Sequence, residues 1–144
     1  MTTIDVLISC ADEFMPTSGN PGDAGFDLRS TMQAVITPGE RKLIPTGVSI
    51  ALPAGYVGLV HPRSGLAVKY GVTVLNAPGT VDAGYRGEIA VTLINHGDGD
   101  FEIAIGDRIA QIVFQKFEEP NFIRVTELPG SMRGTAGFGS TGVK

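Results

Sequence analysis

The sequence holds one cysteine, Cys10, in 144 residues, which excludes an intramolecular disulfide. That lone thiol reads as a small buried apolar residue rather than a nucleophile. Lys and Arg total 11 and are scattered, and the net charge is −4. Scattered cations in an acidic chain argue against a nucleic-acid or anionic-membrane surface. No run approaches the roughly 18–20 apolar residues of a membrane span. The start, Met1-Thr2-Thr3-Ile4-Asp5, shows no basic segment followed by an apolar one, so no signal peptide is evident and the cytoplasm is the expected compartment. Charged residues are only 18% against 42% hydrophobic, a globular and not a disordered balance.

What the chain does have is glycine, 20 residues in no fixed period. That is about twice the usual share. The glycines separate short apolar runs, as turns do in an all-β protein. Ile4–Ile8, Phe26–Leu28, Leu43–Leu52, Tyr56–Val60, Val72–Leu75, Glu88–Asn95 and Arg108–Phe117 read as strands. Arg108–Phe117 is the longest candidate. Glu88–Asn95, apolar on both alternating faces, reads as fully buried. Thr37-Pro38-Gly39-Glu40 fits a type II turn. Ser64–Tyr70 is the one plausible helix, with Ser64 as its cap and Gly71 as its end. About ten short strands predict a sandwich, jelly roll or barrel over residues 1–128. Residues 129–144 hold five glycines and almost no aliphatic side chain, so they predict a mobile arm.

Two segments carry the chemistry. Pro62-Arg63-Ser64-Gly65-Leu66 offers a guanidinium, a hydroxyl and free N–H groups at a helix start, which suit phosphate oxygens. Asn76 to Gly87 offers one carboxylate, Asp82, beside one ring, Tyr85. An anion-binding element followed by a lone carboxylate suggests a phosphorylated cyclic substrate and a water-activating base. An acidic protein holding a polyphosphate would need local arginines and a divalent metal. Asp23 and Asp27, four apart, would point to one side of an extended chain and could face that metal. They also read as a turn acid and a strand-edge acid, the commoner case. Ser64 can be a simple cap, Asp82 a turn brace and Tyr85 a packing residue. Gln111, inside an apolar run, needs a partner, either a neighbouring loop or a ligand. His61 reads as structural, and with His96 in a loop no zinc cluster is credible. Arg133 to Gly142 is rich in glycine and hydroxyls, as phosphate cradles are, yet it is neither a P-loop nor a dinucleotide turn.

In order, Asp23–Leu28, Pro62–Leu66, Val74–Gly87, Gly106–Phe114 and Arg133–Gly142 resemble the five motifs of the trimeric deoxyuridine triphosphatases. The resemblance spans nearly the whole chain. It implies an all-β jelly-roll or barrel-like subunit with one short helix, assembled as a homotrimer with active sites between subunits. It implies hydrolysis of dUTP to dUMP and pyrophosphate with Mg²⁺, which lowers dUTP and supplies dUMP for thymidylate synthesis. By motif position, Asp82 would orient the attacking water, and Tyr85 would lie under the deoxyribose. The backbone of Asn76, Gly79, Thr80 and Val81 would read uracil, with Ala90 nearby. Arg63, Ser64, Gly65 and Gln111 would hold phosphates, and Asp27 would reach the metal through water. Phe138 would stack on uracil as the arm closes, with Arg133, Gly139, Ser140 and Thr141 toward the terminal phosphate. Ala136 departs from the family's Gly-Gly; a positive φ there would cost roughly 1 kcal/mol. The nearest rival is a dCTP deaminase of similar fold, for which Glu88 is the one nearby proton-handling group. A non-catalytic nucleotide sensor is the other alternative, and the intact Asp82 speaks against it.

Overall fold

The computed structural model describes residues 2–143. Among them lie ten strands: β1 Leu7–Ser9, β2 Phe26–Arg29, β3 Ala34–Ile36, β4 Arg41–Ala51, β5 Tyr56–His61, β6 Val72–Val74, β7 Gly79–Val81, β8 Ile89–Asn95, β9 Phe101–Ile103 and β10 Arg108–Lys116. One helix, α1 (Ser64–Tyr70), joins β5 to β6, and a 3-10 turn covers Asp12–Phe14. The strands pair antiparallel as β1-β4-β8-β6, as β2-β10-β5-β7, and as the ribbon β3-β9. No helix among the described residues is long and apolar enough to cross a membrane.

The mostly-β architecture with one short helix is the one expected, but the sheets are open and form no closed barrel. Their edges are β1, β6 and β7, of three residues each, and β2, of four. Strands that short cannot carry a ladder from one sheet round to the other. The sheets instead share one core. Leu28, Ile36, Ile44, Val60, Val72, Val81, Leu93, Ile103 and Ile112 come from nine different strands and pack together. Each such aliphatic side chain stabilises the fold by about 1.5–3 kcal/mol when fully buried.

Several expectations shift in detail. β4, with 11 residues, and not β10, with 9, is the longest strand. β8 alternates buried and half-buried positions, so only one of its faces enters the core. Thr92 breaks the apolar run on the other face. Gly79–Val81, which lies outside the expected strands, is itself a strand, and the turn begins at Asp82 with a Tyr85 N–H to Asp82 O bond of 3.0 Å. Ser64 is the first residue of α1, not its cap; Arg63 occupies the cap position with extended backbone and no side-chain capping bond. Gly71 ends the helix at φ +69°, where a Cβ would lie 2.8 Å from the Gly97 nitrogen. Cys10 is half-buried against the core rather than fully inside it. The Thr37–Glu40 turn forms as expected, with Gly39 at φ +81°. There the Thr37 backbone N–H donates to the Glu40 carboxylate and holds that carboxyl below its ordinary value.

Candidate active site

Between β6 and β7 the chain leaves one sheet and enters the other through Leu75–Pro78, with a cis Ala77–Pro78 bond. The crossing sets β7 against β5, with Gly79 opposite Val60. It leaves a cavity of about 210 Å³ between the β6–β7 crossing and the start of β8. Buried Val60, Val74 and Val91 give that cavity its apolar lining, and Asn76, Thr80, Asp82, Tyr85 and Glu88 supply polar groups. Gly79, Val81 and Ala90 complete the wall. A Cβ on Gly79 would sit 3.4 Å from Val60 Cβ and 3.5 Å from Asn76 Nδ2, so this side of the cavity has little room to spare.

Tyr85 is fixed at both ends. Its backbone N–H closes the turn on Asp82, and its hydroxyl donates to the Glu88 carbonyl at 2.9 Å. Gly87 lies so close to the ring that a Cβ there would collide with the phenol oxygen. The ring therefore stands at the cavity mouth in one orientation while remaining 47% exposed. The Asp82 carboxylate is exposed at the same mouth.

A second group of residues lies farther along β5. β10 runs between β2 and β5 and places Gln111 opposite both Asp27 and His61. Asp27 Oδ1 pairs with Arg63 Nε at 3.1 Å, and Asp27 Oδ2 pairs with Arg108 Nη1 at 3.4 Å. Arg63 Nη1 also donates to the Arg108 carbonyl at 3.2 Å. Two guanidiniums against one carboxylate leave this cluster with a formal charge of +1, on a chain of net charge −4. Gln111 Nε2 donates to the Pro62 carbonyl at 3.0 Å, so its partner here is the loop immediately before Arg63. Gly25 packs against that amide, where a Cβ would collide with Gln111 Oε1. Ser64 and Gly65 sit exposed in the first turn of α1, and nothing crowds Gly65.

The two acids expected to face one metal are used differently. Asp23 Oδ2 accepts from the Asn20 backbone and side chain at 2.8 and 3.2 Å, bracing a turn, while Asp27 faces the arginines. No group of three or more His, Cys, Asp or Glu side chains that could cage a metal occurs among the described residues. A carboxylate has about four lone-pair sites, so Asp27 can accept from further donors beside its two arginine contacts.

The arm residues stand apart from this arrangement. Phe138 is fully exposed, at φ +48°, and Ser140, Thr141 and Gly139 are exposed with it. Arg133 Nε donates to Ala136 O at 2.7 Å within the arm. Local turns, such as Ser140 N–H to Gly137 O, occur within the arm. Ala136 lies outside the left-handed region, so the alanine carries no backbone strain there. Arg108 and Gly25 carried no individual expectation from the sequence, while Glu88, weighed there only as a proton-handling group for the deaminase rival, does line the cavity. Arg108 could not have been found by alternation, because three residues before Gln111 on a regular strand it would face the opposite side; the register shift between Arg108 and Ala110 breaks that regularity.

The family model described as dUTPase matches residues 12–142, which takes in both groups of residues and nearly the whole arm. The chain belongs to the dUTPase family. Deoxyuridine 5'-triphosphate nucleotidohydrolase of Bifidobacterium longum is 58% identical over 143 residues, covering 96% of this chain and 90% of that protein. The enzyme of the same name from Streptomyces griseus is 56% identical over 142 residues, covering 96% and 81%. Among solved structures, the Staphylococcus bacteriophage 80alpha dUTPase with dUPNHPP matches at TM-score 0.88 and 29% identity, over 98% of this chain and 100% of that one. A phage phi11 dUTPase of S. aureus, solved to show how a structural Mg(II) ion is coordinated, matches at TM-score 0.80 and 26% identity, over 88% and 100%. The dUTPase match begins at residue 12, so β1 lies outside it and every residue of the cavity and the arginine cluster lies inside.

Proposed function

We propose that this dUTPase-family chain hydrolyses dUTP to dUMP and pyrophosphate. One observation carries the reading. A ring-sized cavity, lined in part by Val60 of β5 and with an exposed carboxylate at its mouth, is accompanied by a paired-arginine cluster whose Arg63 lies just past the end of that strand, within a chain that matches the dUTPase model from 12 to 142. At about 210 Å³ the cavity is smaller than the roughly 300–1,000 Å³ of drug-sized sites, as a single pyrimidine requires.

In this mechanism, Asn76 and the backbone of Gly79, Thr80 and Val81 hydrogen-bond the uracil edge. A wrong base edge leaves those groups unpaired, which is the strongest form of discrimination available to a pocket. The Tyr85 ring packs under the deoxyribose, and its bond to Glu88 prevents it from yielding to a 2′-hydroxyl. An Asp82 carboxylate oxygen accepts a proton from a water whose oxygen attacks the α-phosphorus. The bond from that phosphorus to the bridging oxygen breaks, and pyrophosphate leaves. Arg63, Ser64, Gly65 and Gln111 bind phosphate oxygens, with Arg108 beside them. Mg²⁺, which usually keeps several waters and binds through substrate phosphates, would offset phosphate charge here, with Asp27 holding it through water.

The arm and the assembly complete the proposal. Arg133, Phe138, Gly139, Ser140 and Thr141 close over the bound nucleotide and exclude other water. The subunits form a jelly-roll homotrimer with shared sites. This is supported by Phe122, Ile123 and Leu128, which stand 90%, 77% and 80% exposed in one chain, just before the arm. The test is a panel of dUTP, dTTP, dCTP and UTP, read for pyrophosphate and for ammonia. The proposal expects pyrophosphate from dUTP alone at substantial kcat/KM. Comparable kcat/KM for dCTP contradicts it, and ammonia from dCTP points to the deaminase instead.

A further inference from the structure

β4 contains the sequence Pro45-Thr46-Gly47, an interruption in an otherwise regular ladder. Pro45 pairs with Ala90 of β8 and Val48 pairs with Ile89, so Thr46 and Gly47 are extra residues in β4. Gly47 has φ +70°, and a Cβ there would meet the Thr31 methyl at 2.9 Å. Pro45 has no N–H to give the ladder. Its carbonyl turns away to accept from the Thr31 N–H at 3.0 Å. The bulge therefore interrupts the β4–β8 ladder at the first two residues of β8, Ile89 and Ala90.

Thr46 ties the bulge to β8 through its side chain. Its side chain is completely buried, and its hydroxyl donates to the Ile89 carbonyl. The same oxygen accepts from the Val48 N–H at 3.4 Å. Ile89 and Ala90, the two β8 residues paired across the bulge, are also two of the cavity's wall residues. The hydroxyl thus sets where the wall begins, although it lies outside the cavity lining. We infer that Thr46 is a positioning residue for base recognition, holding the Ile89–Ala90 wall of the cavity through the Ile89 carbonyl. The inference rests on the proposed dUTP hydrolysis.

The base lies away from the reacting phosphorus, so a displaced wall weakens substrate and transition state alike. That signature is a higher KM with kcat preserved. Removal of the hydroxyl also takes a donor from a buried carbonyl, and the strand end shifts in response.

The experiment uses the full chain with Thr46→Val, which keeps the shape and removes the hydrogen bonds, and Thr46→Ser, which keeps the hydroxyl. Pyrophosphate release is followed for dUTP and dCTP, beside thermal melting. The expected result is a KM for dUTP about tenfold higher in Thr46→Val, with kcat held within about twofold. The preference for dUTP over dCTP narrows, and Thr46→Ser restores both. Should Thr46→Val fail to fold, Thr46→Ala set against Thr46→Ser isolates the hydroxyl in the same way. A lowered Tm with unchanged KM and preference overturns the inference, as does a serine variant as impaired as valine. A wild-type chain that turns over no dUTP overturns the parent reading and this inference with it; wild-type turnover with an unaffected Thr46→Val overturns the inference alone.

Discussion

Gly25→Ala tests how three separated segments cooperate. Gly25 precedes β2, Gln111 lies in β10, and Pro62 leads into the Arg63 turn. A Cβ on Gly25 would collide with Gln111 Oε1 and lie 3.0 Å from its Cδ. The amide must swing away, and its 3.0 Å bond to the Pro62 carbonyl is lost. Because the clashing atom is the tip of a flexible side chain, the packing cost falls at the lower end of about 1–3 kcal/mol. The lost hydrogen bond adds about 0.5–1.5 kcal/mol. A total near 2 kcal/mol lowers Tm by about 4–8 °C in a chain of this size. The larger consequence is functional, because Pro62 fixes the approach of Arg63 to Asp27. If about 1 kcal/mol of that positioning is lost from substrate binding, KM for dUTP rises about fivefold. Steady-state pyrophosphate release and thermal melting measure both. Gln111→Ala should show much of the same KM rise, and the double variant should be little worse than Gln111→Ala alone. Strict additivity of the two single effects would refute the coupling.

Two further expectations concern the arm and the assembly. Deletion of residues 129–144 should leave Tm nearly unchanged, since Met132, Phe138 and Val143 bury nothing on their own chain. It should lower kcat more than it raises KM, through loss of Phe138 stacking at about 0.5–1.5 kcal/mol and of Arg133 charge-assisted bonds at about 1.5–3 kcal/mol; a truncated protein with full kcat shows the arm to be a linker. Light scattering at working concentration should return three times the chain mass of 15.1 kDa, and a monomer mass contradicts the shared-site assembly.

Much of the fold was legible because local rules decided it. Gly71 stops α1 because it alone tolerates φ +69° against Gly97, and Pro38-Gly39 turns the chain as its composition demands. β3 and β9, three residues each, were not legible, because runs that short carry no period. Ser64 failed as a cap because the extended residue proved to be Arg63, whose side chain turns instead to Asp27. The cavity itself could be anticipated from Asp82 and Tyr85. The support of the cavity and of the arginine cluster could not, because Thr46 in the one and Gly25 and Arg108 in the other act through partners 43, 86 and 81 positions away, and only the folded chain brings those together. Gln111 shows the same limit. Its need for a partner was plain from the apolar run around it, but the choice of the Pro62 carbonyl followed from the pairing of β10 with β5.

The central claim is that the Asp82 carboxylate at the cavity mouth activates the water that cleaves dUTP. Asp82→Asn tests it most directly, because the amide keeps the shape and cannot take the proton. Single-turnover pyrophosphate release, measured beside equilibrium binding of dUTP, should show binding retained and the chemical step slowed by about 10²–10⁴-fold. An asparagine variant that binds dUTP and cleaves it near the wild-type rate would place the base elsewhere and contradict the account.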